Sequence, residues 1–192
     1  MMKIRIKFRK YGTMKFIGHL DVMRYFQKAI RRSEVNIRYS EGFSPHQIMS
    51  FAAPLGVGIT SKGEYVDIEV LDTENSKKMI DRLNAVMSEG FEILEYKLLP
   101  DDAANAMSIV AAADYSLVFR PGYEPEKESP EEWFEKLVRF FDADHVMIMK
   151  KTKKGEREMD LKPFVYELNV RKNGEVPALF MKVSAGSAAN IK

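Results

Sequence analysis

The sequence predicts an α+β protein, and three observations carry that reading. Runs such as KIRIKFR (3–9) and EYVDIEVL (64–71) alternate apolar and polar residues, as half-buried strands do. Between such runs lie stretches with apolar residues at helical spacing. Through residue 100 the two kinds follow one another as strand, helix, strand, strand, helix, strand.

In KIRIKFR, Ile4, Ile6 and Phe8 share one face and Lys3, Arg5, Lys7 and Arg9 the other, giving a basic outer edge. TMKFI (13–17) extends this strand or bulges from it. Gly18 to Glu34 reads as a helix, with Val22, Phe26, Ala29 and Ile30 as its buried stripe. Arg24, Lys28, Arg31 and Arg32 fall on its other side. Gly18 at the N-cap and Asp21 at N3 resemble a capping box without its cap side chain. Asp21 also suits the positive end of the helix dipole.

VNIRY (35–39) alternates again and reads as a strand. YSEGFSPHQ (39–47) is a loop in which Gly42 and Pro45 serve the backbone. IMSFAAPLGVGI (48–59) is broken by Pro54, Gly56 and Gly58 and does not read as one regular strand. EYVDIEVL is a strand, and NSKKMIDRLNAVMSEG (75–90) an amphipathic helix with Met79, Ile80, Leu83 and Val86 on one face, stopped at Gly90. FEILEYKLL (91–99) is a strand ended by Pro100. Two right-handed crossovers of this kind make a split βαβ, or ferredoxin-like, sandwich over residues 1–100. Two helices cover one face of its antiparallel sheet, and the other face is left for a partner or a second domain.

DDAANAMS (101–108) reads as a short helical connector to a second α+β unit over residues 109–192. Its elements are a strand at DYSLVF (114–119) and a helix capped by Ser129 with Pro130 at its first position. Trp133, Leu137, Phe140 and Phe141 make that helix's apolar face. A strand at HVMIMK (145–150) and a charged turn, KKTKKGERE, follow. FVYELNV and PALFMKV then flank KNGE, whose Asn-Gly signals a hairpin. SAGSAANIK is no strand, so this second ferredoxin-like unit is expected to be incomplete, trimmed or completed by a partner.

Composition bounds the function. The 192 residues are 45% hydrophobic and 30% charged, the balance of a soluble globular protein. No apolar run approaches a membrane span, and MMKIRIKFRKYG lacks the apolar core of a signal peptide. A cytoplasmic protein is expected. With no cysteine, the chain itself has no disulfide, no cysteine nucleophile and no cysteine-held zinc or iron–sulfur cluster. Its twelve methionines read as flexible core filler. Residues 1–60 hold eleven Lys or Arg against three acids, a net +8, which leaves −6 for residues 61–192. That asymmetry suggests a basic face for an anionic partner.

Candidate site residues are weighed against plain structural roles. Arg24, Lys28, Arg31 and Arg32 form a helical stripe fit for phosphate oxygens, or a solvated face. His19 is a packed polar residue or a site residue. GVGITSKG (56–63) fits neither common phosphate-loop pattern. His19, Asp21 and His46 match no metal-ligand spacing, so no metal is expected. No serine-hydrolase or paired-carboxylate signature stands out.

Residues 18–70 closely resemble the opening half of the radical SAM-associated (radical SAM-linked) proteins, a bacterial family of unknown function. The likeness rests on His19, Leu20 and Asp21; Arg31 and Arg32; Tyr39, Ser40, Gly42, Phe43, Pro45 and His46; Pro54, Leu55 and Gly58; and Ser61, Glu64 and Tyr65. Gly18 stands where that family's pattern has serine, and the likeness is looser beyond residue 100. The resemblance implies a partner, a cobalamin-binding-type radical SAM protein encoded beside or fused to such a chain. An iron–sulfur cluster and S-adenosylmethionine, with cobalamin as a further candidate, would sit on that partner and none in this chain. It carries over no catalytic residue.

Together these readings lead to an accessory module that recognises substrate for a radical SAM enzyme. The basic face points to RNA, tRNA or rRNA, held through Arg24, Lys28, Arg31, Arg32 and the 39–47 loop. Arg38, Tyr39, Ser40, Phe43, His46, Ser61 and Glu64 complete the candidate binding set. Tyr39, Phe43 and Arg38 suit the stacking and phosphate contacts that hold single-stranded RNA. Two alternatives remain: an RNA-processing enzyme with His19 and His46 as acid and base, and a protein-binding adaptor.

Overall fold

The protein is seen in a computed structural model that describes residues 1–152 and 155–186. Its chain divides into two units, Met1–Val110 and Ala111–Lys192. Both mix helices with antiparallel sheet, so the protein is α+β.

In the first unit, β1 (Met2–Lys10) pairs antiparallel with β3 (Ser61–Val70) on one side and β4 (Phe91–Leu99) on the other. β2 (Met49–Phe51) adds to the far edge of β3, giving the order β2-β3-β1-β4. Helix α1 (His19–Arg32) joins β1 to β2, and α2 (Ser76–Asn84) joins β3 to β4. Ile4, Ile6 and Phe8 meet Val66, Ile68, Val70, Phe91 and Ile93 across the sheet. Val22, Phe26 and Ile30 of α1 and Met79 and Leu83 of α2 close the same core. The Phe8 ring lies 4.6 Å from Phe26, 6.0 Å from Phe51 and 6.3 Å from Phe91. The alternation in β1 and the helical stripe in α1 thus bury the residues they single out.

Several local expectations are corrected. Residues 13–17 do not prolong β1; Gly12–Phe16 is a 3-10 turn leading into α1. VNIRY is not a regular strand and makes two isolated bridges, Ile37 to Val70 and Tyr39 to Gln47. The reason is that Arg38 onward is committed to a hairpin with residues 46–48. Helix α2 ends at Asn84, well short of Gly90. The Asn84 side chain donates to Ile93 O at 3.0 Å and accepts from Ile93 N at 2.8 Å, tying the helix end to β4. Gly90, at φ +100°, is needed for a close approach: a Cβ there would lie 2.9 Å from Tyr11 O.

The outer face of the sheet is also occupied. The connector leads into a short helix, α3 (Ala106–Ile109), and straps across β1 and β3. Lys3 Nζ donates to Asp101 O at 2.9 Å, Arg5 to Ala104 O at 2.9 Å, and Ala106 N to Asp67 at 2.7 Å.

In the second unit, β5 (Ala112–Leu117), β8 (Val165–Asn173) and β9 (Val176–Ser184) form a sheet in the order β5-β9-β8. Helix α4 (Pro130–Phe140) packs on β8 and β9. It opens with the expected Ser129 cap and a full capping box to Glu132. Its buried residue is Phe134, whereas Trp133 and Phe140 are exposed, which corrects the apolar face expected from spacing. The charged stretch after residue 149 is not a turn: β6 (Met147–Thr152) and β7 (Gly155–Asp160) pair as a ribbon of their own. The two runs pair antiparallel in continuous register from Met147–Asp160 to Thr152–Gly155. The expected turn centre at 153–154 and the tail from 187 on lie outside the described residues.

Among the described residues, no helix is long and apolar enough to cross a membrane.

Candidate nucleic-acid interface

The basic residues of the first unit have two fates. Arg5 forms a bidentate pair with Asp67 at 2.8 and 2.9 Å. Lys7 pairs with Glu95 at 2.9 Å, and Arg9 pairs with Glu92. Each acid sits on a strand flanking β1, so the basic edge expected of β1 is neutralised within the sheet. Over Met1–Val110 the chain holds sixteen Lys or Arg against fourteen acids.

Among the described residues, the cations of helix α1 make no such close pairs with acids. Arg24 makes a loose 3.6 Å contact with Asp21, both largely exposed. Arg32 donates to Val86 O at 3.0 Å and has no acidic partner among the described residues. Among the described residues, Lys28 and Arg31 have no ion-pair partner. Lys28, Arg31 and Arg32 line an open concavity of about 300 Å³.

The 39–47 loop is the end of a hairpin. Ile48 N donates to Arg38 O at 2.9 Å, Tyr39 bridges Gln47, and Ser40 N donates to His46 O at 2.8 Å. Gly42 takes φ +106° at the tip, and Phe43 stands beside it with its side chain wholly in solvent. The base of the hairpin is fastened to α1, because buried Gln47 donates from Nε2 to Gln27 O at 3.2 Å. Gln27 lies one helical turn from Arg24 and from Arg31. The hairpin therefore docks on the turn of α1 that carries the free cations.

The remaining candidate residues have definite roles. Arg38 is held by Glu69 at 2.8 Å and is half-buried. The Tyr39 hydroxyl accepts from Gln47 Nε2 at 3.4 Å. His19 packs edge-on against Phe51, with centroids 5.4 Å apart, while His46 bonds Ser40; among the described residues no hydrogen bond joins the two histidines. Ser61 Oγ accepts from Gly63 N at 3.1 Å. Glu64 is half-buried, and burial pushes its carboxyl above the ordinary range, against the pull of Ser61 and Lys10. No three His, Asp or Glu side chains gather in metal-ligating geometry among the described residues.

Lys10 belongs to this list and escaped the sequence reading. It is 1% exposed, donates from Nζ to Ile17 O at 3.0 Å, and burial lowers its ammonium below the ordinary value while Glu64 pulls the other way. The signal was present: after Ile4, Ile6 and Phe8, residue 10 is the next inward position of the strand. Gln47, the buried anchor of the hairpin, carries no comparable signal.

Compared with known families, residues 3–192 match the model of a family described as "Uncharacterized protein conserved in bacteria (DUF2344)". No curated protein matches the chain.

Proposed function

From the premise that the chain belongs to this bacterial family, whose description assigns no activity, we propose that it is an accessory RNA-recognition module. One observation carries the reading: among the described residues Lys28 and Arg31 of α1 have no ion-pair partner, Arg24 has only a loose one and Arg32 bonds a carbonyl, whereas Arg5, Lys7 and Arg9 of β1 are paired with acids. Arg24, Lys28, Arg31 and Arg32 repeat along one helix face, where guanidinium and ammonium groups meet successive phosphates. The hairpin fastened at Gln27 adds an aromatic side chain to the same surface. The order β2-β3-β1-β4, with two crossover helices sharing one core, supports a ferredoxin-like sandwich as the scaffold.

The module would work with a radical SAM protein that bears the iron–sulfur cluster, S-adenosylmethionine and cobalamin. That partnership rests on the resemblance of residues 18–70. Exposed Phe16, Val57 and Ile59 favour a protein contact at the start of α1, where Gly58 N donates to Lys15 O at 2.7 Å.

Equilibrium binding to bulk tRNA and rRNA fragments across a salt series tests the RNA reading. The dissociation constant is expected to rise steeply and log-linearly with salt; absent or salt-independent binding would overturn it. Retention of the radical SAM protein after nuclease treatment of a lysate supports the partnership, and its loss opposes it.

A further inference from the structure

We infer that the 38–48 hairpin holds one unpaired base of a single-stranded RNA, stacked on Phe43 and hydrogen-bonded by His46. This deepens the RNA reading above and rests on it.

Two backbone hydrogen bonds close the hairpin around the Tyr39–Gln47 bridge, and Gln47 bolts it to α1. An aromatic ring at the tip of a braced hairpin is a platform already in place before a ligand arrives. Phe43 has no protein neighbour that shields it. Bases in a duplex are covered on both faces by their neighbours, so a ring of this kind can receive only a base that is out of the stack. Glu41, exposed beside the tip, repels phosphate there and leaves backbone contacts to α1. Tyr39 and Arg38 are less suited, since Tyr39 forms the base of the hairpin and Arg38 is paired with Glu69.

His46 is oriented by its own loop. Ser40 Oγ accepts from His46 N at 3.1 Å, so its single proton is available for His46 Nδ1 at 2.8 Å. The longer approach of Nδ1 to Ser44 O, 3.5 Å, competes poorly. In the neutral ring Nδ1 then accepts and Nε2 carries the proton. His46 is exposed, so that N–H is a donor offered to the ligand rather than a general base. Ser40 is thus a positioning residue, which separates this reading from acid–base catalysis by His46.

The test is fluorescence anisotropy with a labelled uridine-rich single strand and a duplex RNA of equal length, at one fixed salt concentration. The single strand is expected to bind more tightly. Phe43→Ala should weaken it by at least about tenfold, with the duplex unaffected. Phe43→Trp should retain binding and Phe43→Leu should not, because stacking needs a π face. His46→Ala should cost about fivefold. If wild type binds both RNAs equally and Phe43→Ala changes neither, this inference fails while the RNA reading stands. If Phe43→Leu behaves as wild type, the tip is an apolar protein contact and the inference fails. If neither RNA binds, the underlying reading fails with it. Phe43 makes no core contact, so its variants fold.

Discussion

Lys3, Arg5, Lys7 and Arg9 line the outer face of β1; Arg24, Lys28, Arg31 and Arg32 line the outer face of α1. Both sets are equally basic in the sequence. On β1, each side chain lies between two flanking strands and finds an acid or a carbonyl at cross-strand distance. On α1, Asp21 makes a loose contact with Arg24, and Glu34, three residues past Arg31, pairs with Arg82 instead. A strand inside a sheet is surrounded by partners, whereas the outer side of a surface helix meets solvent. Charge in the sequence therefore becomes structure in one place and an exposed basic surface in the other.

The largest effect should come from removing the free set. Arg24→Ala, Lys28→Ala and Arg31→Ala combined should weaken RNA binding by roughly 10- to 100-fold and reduce the log–log salt slope by about 2. Thermal stability should stay within about 0.5 kcal/mol, as for other exposed substitutions. Lys7→Ala with Arg9→Ala, on β1, should leave the salt slope unchanged. Equal losses from both sets would break the contrast between strand and helix.

Next comes the structural set. Asp67 accepts from Nε and Nη2 of Arg5 and from Ala106 N, and its side chain is 14% exposed. Asp67→Ala strands the guanidinium and loosens the connector at once. Unfolding in urea should show a loss of about 2 kcal/mol, less than a fully buried broken pair because solvent still reaches Arg5. The RNA salt slope should not move. A variant as stable as wild type would mean that the β1 pairs are ornamental.

How much of this could be read from the sequence follows from the range of each interaction. The buried stripe of α1 and the inward face of β1 were legible, because period alone selects those positions. Lys10 was legible in principle by the same period, although its charge argued against an inward reading. The pairing of Arg5 with Asp67, Lys7 with Glu95 and Arg9 with Glu92 was not, since it depends on strand register across 60 to 90 residues. The 39–47 loop could be singled out by its aromatics, but not which ring would be free. That choice was made by Gln47, whose bond to Gln27 O fixes the hairpin on the helix. The β6–β7 ribbon was misread because lysine-rich polar residues mark turns and exposed strands alike.

The smallest effect refines the contrast at its inner end. Lys10 is the next cation along β1 and points inward, where Glu64 is the charge that favours its ammonium form. Both groups pay for burial in the same way, the lysine lowered and the carboxyl raised. Between the ordinary carboxyl value of 4.5 and the raised folded value, the folded chain keeps a Glu64 proton that the unfolded chain has released. Stability from this group is therefore complete below 4.5 and falls as pH rises through the folded value. Glu64→Gln should remove that fall, so the stability difference between variant and wild type should grow in the variant's favour as pH rises through this window. Urea unfolding of both proteins at several pH values reads it directly. A difference that shrinks with rising pH would show instead that the Glu64 carboxylate is held as an ion by Lys10, and the inner end of β1 would then be paired like its outer face.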